Sequence, residues 1–317
     1  MIFWQIPVLL RILVANGIAQ VLIKKVTTIK GKQSSLVRTK KFFLQFFFCS
    51  LIILPIAFAS GTLIMNKQAL LISLMGIFSG LAAYCQWRAI DISLSKNAIF
   101  TFWDDIMAMA LAYFFLQESK FWNVSLAVGV VLSLSSMVMF SLHKYYKSRV
   151  KGNDLGENNS SKLSEFFIYV AIYSFIWGAV FFFIRYQALK NFPVTGFLAF
   201  WFIGTLLAAS LILFISKKIN NRVANTVDHD FSYDLSRKDI RGVFWLSISI
   251  VASLALTFWS YKVAPLTVSQ PIFLVGEMIL PAFLGLYYFK EIKKLDLKEK
   301  LIFSVGIVGG LIVILSF

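Results

Sequence analysis

Long apolar stretches alternate with short polar ones along the whole chain. Ten apolar segments cover 3–23, 42–60, 69–90, 97–117, 121–142, 165–186, 193–215, 242–262, 267–289 and 297–317. Each is long enough for a helix that spans the hydrocarbon core of a bilayer, which takes about twenty residues. The pattern therefore predicts an all-α polytopic membrane protein with ten transmembrane helices.

The composition fits this class of protein. Hydrophobic residues make up 59% of the 317 residues and charged residues 15%, with a mean hydropathy of +0.78. A typical soluble domain is about one quarter charged. The net charge of +16 does not indicate nucleic-acid binding, because the basic residues lie in short loops between apolar segments. The expected partners are the lipid bilayer and a small-molecule substrate.

A polar stretch separates the chain into two halves. Residues 144–162, KYYKSRVKGNDLGENNSSK, are rich in Gly, Asn and Ser, which is typical of a surface linker. We therefore predict a five-helix unit at 1–143, a linker at 144–164 and a second five-helix unit at 165–317.

Lysine and arginine concentrate in the odd-numbered loops. The first loop alone contains Lys24, Lys25, Lys30, Lys32, Arg38, Lys40 and Lys41, whereas the even-numbered loops contain few basic residues. Because cytoplasmic loops are enriched in Lys and Arg, this bias predicts that the odd-numbered loops are cytoplasmic and that both termini lie outside. We expect the cell (inner) membrane as the location.

Segments four and nine resemble each other. NAIFTFWDDIMAMALAYFFLQE, which begins at Asn97, aligns without gaps with QPIFLVGEMILPAFLGLYYFKE, which begins at Gln270. The offset of 173 residues pairs Asn97 with Gln270, Phe100 with Phe273, Asp104 with Glu277 and Glu118 with Glu291. Since five helices per half is an odd number, the halves are predicted to be inverted repeats, an architecture of transporters with a site at the repeat interface.

Three acidic residues in these segments, Asp104, Asp105 and Glu277, are the main functional candidates, and we call them the central acids. Glu277 lies near the middle of a segment that contains Pro271 and Pro281. An ionisable residue at that depth marks a functional site by default; a hydrogen bond that fixes helix packing is the alternative. Asp104 and Asp105 point about 100° apart on a helix, so one can face a cavity and the other a neighbouring helix. Two carboxylates so close rarely both ionise in a dry site.

Polar and aromatic residues of other segments complete the predicted site, which lies between segments one, three, four, six, eight and nine. Besides the central acids, the candidates for binding a substrate or a proton are Asn97, Gln270, Asn16, Gln86, Trp87 and Trp177. Arg11 in segment one either pairs with an acid or reaches the outer interface.

The sequence shows no candidate metal or catalytic centre. Cys49 and Cys85 lie in apolar segments, where small thiols pack, and His143 and His229 lie at or beyond segment ends. We therefore expect no cofactor and no enzymatic activity. A membrane-embedded enzyme would need a nucleophile, a metal or a phosphate-binding set.

Segment three contains Gly76 and Gly80, four residues apart. This small-residue spacing is typical of close helix contact in membranes. We favour a contact within one chain over a dimer interface, and we expect a monomer or a homodimer.

Several motifs of the second half point to one family. They are the pair Trp177-Gly178, the basic residue Arg185 followed by Pro193, YKVAPLTVSQPIF before an acid-bearing helix, and FKEIKKLDLKEKLIFSVGIVGG with its Gly-rich last helix. Together they resemble the EamA repeat of the drug/metabolite transporter (DMT) superfamily. Lys290 and Ile292 stand where the family often has the Gly and the Arg of a Gly-Glu-Arg turn. The resemblance covers most of 165–317 and, more weakly, 1–142.

The resemblance implies a ten-helix, two-repeat carrier of small metabolites that works by alternating access. Segment one is similar to the first helix of the related small multidrug resistance proteins, but Asn16 stands where they have an essential glutamate, eight residues before Lys24. Their helix-one carboxylate mechanism is therefore not implied. Family members also usually keep both termini inside, in contrast to the loop bias found here.

The function that we expect is secondary transport across the plasma membrane. Acids in the cavity favour an amino acid or another amine-containing substrate, and coupling to protons is open. The alternatives are a translocase for a lipid-linked substrate and a non-catalytic membrane subunit.

Overall fold

The computed structural model describes residues 4–27, 34–92, 102–118, 124–150, 157–224, 235–283 and 297–315. Within these ranges the chain forms ten helices and no strand. The helices are α1 (Gln5–Thr27), α2 (Ser34–Ala59), α3 (Lys67–Ile92), α4 (Phe102–Phe115), α5 (Val124–Val150), α6 (Glu157–Leu189), α7 (Val194–Ala224), α8 (Arg237–Val263), α9 (Leu266–Phe283) and α10 (Leu297–Leu315).

Six of these helices are long and apolar enough to cross a membrane, namely α1, α2, α3, α6, α7 and α8. Large apolar side chains on their outer faces are exposed; Leu51, Phe175 and Phe214 are 56%, 68% and 65% accessible. Apolar surface of this extent indicates contact with lipid. The prediction of an all-α, multi-pass membrane protein is therefore confirmed. That all ten segments cross a membrane stays a prediction.

Several helices extend beyond the apolar segments that predicted them. α2 begins at Ser34 instead of residue 42, α5 continues to Val150, and α6 begins at Glu157 instead of residue 165. Lys, Arg, Glu and Gln are good helix formers, so a helix can continue into a polar stretch that hydropathy assigns to a loop. The linker predicted at 144–164 is therefore helical on both sides of 151–156, which lie outside the described residues.

The helices α3 and α7 pack closely against each other. A Cβ atom on Gly76 would lie 2.3 Å from the Trp201 carbonyl oxygen, and one on Gly204 would lie 2.0 Å from the Ser73 carbonyl oxygen. Gly80 faces Ala208 in the same way. The two small-residue rows let the backbones approach each other, so Gly76 and Gly80 serve a contact within the chain.

Several helix contacts have a counterpart in which each helix is replaced by the helix five places before or after it. The contact α3–α7 corresponds to α2–α8, α3–α6 corresponds to α1–α8, and α4–α6 corresponds to α1–α9; all six contacts are present. Three further contacts, α2–α7, α4–α9 and α5–α10, join a helix to its own counterpart. Each of the ten described helices therefore contacts at least one helix of the other half.

Candidate functional site

A cavity of about 130 Å³ lies in the interior of the bundle, and we call it the central cavity. Side chains of α1 to α4 and of α6 to α9 line it, and among the described residues α5 and α10 contribute none. The helices α2 and α7 were not expected at the site. They contribute Gln45, Phe46, Trp201 and Phe202.

An ion pair between α1 and α9 forms part of the cavity wall. Arg11 Nη2 donates to Glu277 Oε1 at 2.9 Å, and the two side chains are 5% and 16% exposed. The guanidinium also lies over the Phe273 ring, 4.1 Å from its centroid, which adds a cation–π interaction. Arg11 was expected either to pair with an acid or to reach the outer interface, and it pairs with an acid.

The shape of α1 brings Asn16 to the cavity. The helix is π-helical from Ile12 to Ala19, and such segments are frequent at functional sites. Asn16 is buried and lines the cavity. On the facing helix a Cβ atom at Gly276 would lie 2.6 Å from Ile12 Cγ2, so the glycine allows α9 to pack closely against the π-helical segment.

The two adjacent aspartates of α4 face different surroundings. Asp104 lines the central cavity. Asp105 is fully buried away from it, and its Oδ1 atom accepts a hydrogen bond from Gln270 Nε2, while Gln270 Oε1 accepts one from the Tyr261 hydroxyl. Gln270 thus lies beside an acid but not in the cavity lining. Its predicted repeat partner Asn97 lies outside the described residues.

Three more of the predicted residues line the cavity. Gln86 and Trp87 reach it from α3, and Trp177 reaches it from α6. The Trp177 ring stacks on Phe181 with the ring centroids 5.4 Å apart. The cavity wall is therefore aromatic between its polar groups.

Many polar atoms of the cavity lining have no hydrogen-bond partner among the described residues. They are Nε and Nη1 of Arg11, Nδ2 of Asn16, Oε1 of Gln20, Oε1 of Gln45 and Nε1 of Trp177. Buried polar atoms are normally paired with protein or water. A set that converges on one cavity is an arrangement that can bind a polar molecule. Sequence reasoning missed Gln45, although it is the one polar residue within FFLQFFF at 42–48.

The central acids outnumber the cations beside them. Arg11 is the only Lys or Arg among the described residues that line the cavity. Three ionised acids and one guanidinium would give a net charge of −2 in a mostly buried site. A negative charge of this size in a buried site favours protonation of an acid or the presence of a cationic group.

A second polar cluster, the Glu118 junction, closes one end of the bundle. It consists of Glu118, Arg185, Tyr261 and Thr267. Glu118 Oε1 accepts from Arg185 Nε at 2.9 Å, and Glu118 Oε2 accepts from the backbone N–H and the hydroxyl of Thr267 at 3.0 and 3.1 Å. Arg185 also donates to the carbonyl of Tyr261. The carboxylate therefore caps the first turn of α9 and ties it to α6 and α8.

Other ion pairs lie at the opposite end of the bundle. Arg88 Nη2 lies 2.8 Å from Glu165 Oε1, and Arg38 Nη2 lies 2.5 Å from Asp91 Oδ2. Glu165 and Arg185 are twenty residues apart on α6, about 30 Å along the helix axis. The central cavity thus lies between two polar ends that are separated by about the thickness of a bilayer core.

Comparison with known proteins gives a fold but no family. No protein-family model matches the chain, and no curated protein matches it. Eighteen chains of solved structures match it. One of them, described only as a crystal structure of a protein, has 11% sequence identity and a TM-score of 0.63 and covers 98% of this chain and 97% of its own. At this identity the likeness shows a shared fold over the whole length.

Proposed function

We propose that the chain is a secondary transporter that moves a small metabolite through the central cavity by alternating access. The observation that carries this proposal is the cavity itself. Inside a bundle of membrane-type helices it collects two acids, a guanidinium and several unpartnered polar atoms. Ionisable residues at such a position are typical of transport pathways.

The arrangement of helices supports an inverted repeat. Each lining helix of the first half, α1 to α4, has as its counterpart the helix five places later, and these counterparts, α6 to α9, also line the cavity. Asp104 on α4 and Glu277 on α9 lie on one such pair. The ends of the first helices match as well: Lys24 of α1 donates to the carbonyl of Ile90 in α3, and Arg185 of α6 donates to that of Tyr261 in α8. Repeats with a site at their interface allow one half to rock against the other.

On this proposal the chain is an EamA-like carrier of the DMT superfamily with ten transmembrane helices. Its units are 1–143 and 165–317. The loop charges support a location in the cell (inner) membrane with both termini outside. Energy comes from a gradient or from exchange.

The substrate class follows from the polar groups and the volume. Arg11, Asn16 and Trp177 offer donors, whereas Asp104 and the Gln20 and Gln45 oxygens offer acceptors. A molecule with an ammonium and a carboxylate, or another amine with a polar acceptor, uses both sets. A cavity of about 130 Å³ is close to the roughly 150 Å³ cavity that holds benzene, so the conformation fits a small amino acid or amine.

A ligand screen by thermal shift tests the proposal. Purified protein in detergent is mixed with amino acids, polyamines, quaternary amines, nucleosides and sugar phosphates at two pH values. A ligand at 100 times its Kd stabilises by about 2.7 kcal/mol, which is a readily measured shift.

Asp104→Asn is the decisive variant. Among the described residues no Lys or Arg forms an ion pair with Asp104, and an amide oxygen can still accept from the Asp105 N–H as Asp104 Oδ1 does at 3.1 Å. The matched control is Glu165→Gln, which removes an acid far from the cavity. We expect a compound that stabilises wild type and the control but not Asp104→Asn. A folded protein with no hit in the panel would refute the proposed substrate class, and bound lipid in that sample would favour a lipid-linked substrate.

A further inference from the structure

Asp105 is the central acid that the central cavity does not reach. Its side chain is 0% exposed, and it is not part of the cavity lining. Gln270 Nε2 donates to its Oδ1 atom. The Oδ2 atom is buried without a hydrogen-bond partner among the described residues. Within the described part of the chain, one oxygen of this carboxyl group therefore contacts neither a hydrogen-bond donor nor the central cavity.

The charges around Asp105 do not compensate a carboxylate. Within the described part of the chain, the titratable and charged groups that face it are Asp104 on its own helix, Glu277 on α9, Arg11 on α1, Tyr173 on α6 and Tyr261 on α8. Two of these are acids, the tyrosines are neutral, and the single cation already binds Glu277. Among the described residues, an ionised Asp105 would have two like-charged neighbours and no cation that is not already paired.

We propose that Asp105 is a proton-binding site, separate from the central cavity, that holds a proton in this conformation. A buried carboxylate that lacks hydrogen bonds on one oxygen is far less favourable than a neutral carboxyl group there. Gln270 suits the neutral form in either orientation. With its nitrogen towards Asp105 it donates to the carbonyl oxygen, and with its oxygen towards Asp105 it accepts from the hydroxyl.

The location of this site beside Asp104 links the proton to the substrate. A positive group that enters the cavity next to Asp104 would stabilise a carboxylate on the adjacent residue. Binding of a cationic group then favours release of the proton, so the two are exchanged. This link rests on the proposed function, whereas the proton site itself does not.

Infrared spectroscopy of the full-length protein in lipid nanodiscs, without any substrate, tests the site. A protonated carboxyl group has a C=O stretching band that ionised carboxylates lack and that shifts in D₂O. We expect this band at neutral pH in wild type and its loss in Asp105→Asn. The matched control is Asp104→Asn, which changes the adjacent residue in the same way and is expected to retain the band.

Each possible result either supports or overturns the proposed proton site. A wild type without the band, or a folded Asp105→Asn protein that keeps it unchanged, overturns the proposal. If Asp105→Asn does not fold, Gln270→Met replaces it: loss of the hydrogen bond to Oδ1 is expected to shift the band, and an unshifted band overturns the assignment. Because no substrate is present, failure of the transport proposal would leave this result intact, and a missing band would leave transport untouched.

Discussion

Neutralising Glu118 is expected to destabilise the fold strongly, although it lies outside the central cavity. Glu118 and Arg185 have side chains that are 4% and 9% exposed. Glu118→Gln would keep a side chain of similar size but leave the Arg185 guanidinium buried without its counter-charge. Breaking a buried pair in this way typically costs about 3–5 kcal/mol. A glutamine side chain has one acceptor oxygen, so Glu118→Gln can keep either the hydrogen bond from Arg185 or the two from Thr267, and its NH₂ group then faces a donor on the other side.

The chain offers a matched, more exposed pair as the control. Arg88 and Glu165 lie 2.8 Å apart with side chains 24% and 41% exposed. Because water reaches both side chains, removing a partner is expected to cost about 0–1 kcal/mol, as it typically does for exposed pairs. The same chemical change, Glu to Gln in an Arg–Glu pair, is therefore expected to differ by at least about 2 kcal/mol between the two sites.

Equilibrium unfolding in mixed micelles, followed by tryptophan fluorescence, measures both variants. The double variant Glu118→Gln/Arg185→Gln is expected to be more stable than Glu118→Gln alone, because it leaves no unpaired charge. Equal free energies of unfolding for Glu118→Gln and Glu165→Gln would refute the reasoning, since burial would then not determine the strength of the pair.

Three further predictions concern packing and the cavity. Gly204→Ala is expected to lower the free energy of unfolding by at least about 1–3 kcal/mol, because its Cβ atom would lie 2.0 Å from the Ser73 carbonyl oxygen. Gly61→Asn is the milder control: no atom lies within 4 Å of its Cβ position, and its cost is limited to the left-handed backbone at φ +66°, which Asn tolerates better than most residues. Trp177→Phe keeps an aromatic ring but removes an indole N–H, so ligand affinity in the thermal-shift assay is expected to fall by about 1 kcal/mol with little change in stability of the empty protein. Gln45→Leu removes a buried amide whose oxygen has no hydrogen-bond partner in the described ranges, so it is expected to leave stability equal or higher and to weaken ligand binding.

Each helix of the described ranges corresponds to a predicted apolar segment, but several helix ends differ from the segment ends. Side chains that face lipid or the protein interior are mostly apolar. The sequence therefore shows directly which part of each helix lies in an apolar environment. Where a helix continues into water, as at Ser34 or Glu157, polar residues carry the helix and the apolar pattern no longer follows it. Boundaries set by hydropathy therefore mark the apolar core and not the helix.

The candidate site was predictable where a residue type is costly in lipid, and less so elsewhere. Asp104 and Glu277 stand out because a membrane tolerates ionisable groups only in protein or cavity. Gln270 lies on the same helix face as Glu277, seven residues before it, yet it binds Asp105 outside the cavity. Periodicity gives the face of a helix, but the space left between neighbours at each depth depends on tertiary packing. The partner of Arg11, 266 residues away in sequence, depends on packing in the same way.

Neutralising each of the two acids of the cavity wall is expected to change the ligand preference in opposite directions. Glu277 is already paired with Arg11 at 2.9 Å, so its charge is largely satisfied, whereas Asp104 has no ion-pair partner among the described residues and is the acid available to an ammonium group. Asp104→Asn is therefore expected to weaken amines that lack a carboxylate more than amino acids, which keep Arg11 as a partner. Glu277→Gln frees the guanidinium of Arg11, at a cost of about 3–5 kcal/mol in stability, and is expected to strengthen ligands with a carboxylate relative to those without. Thermal-shift titrations of a polyamine and an amino acid against both variants measure this reversal, and the same order of preference in both variants would show that the ion pair does not divide the cavity into an anion-binding and a cation-binding side.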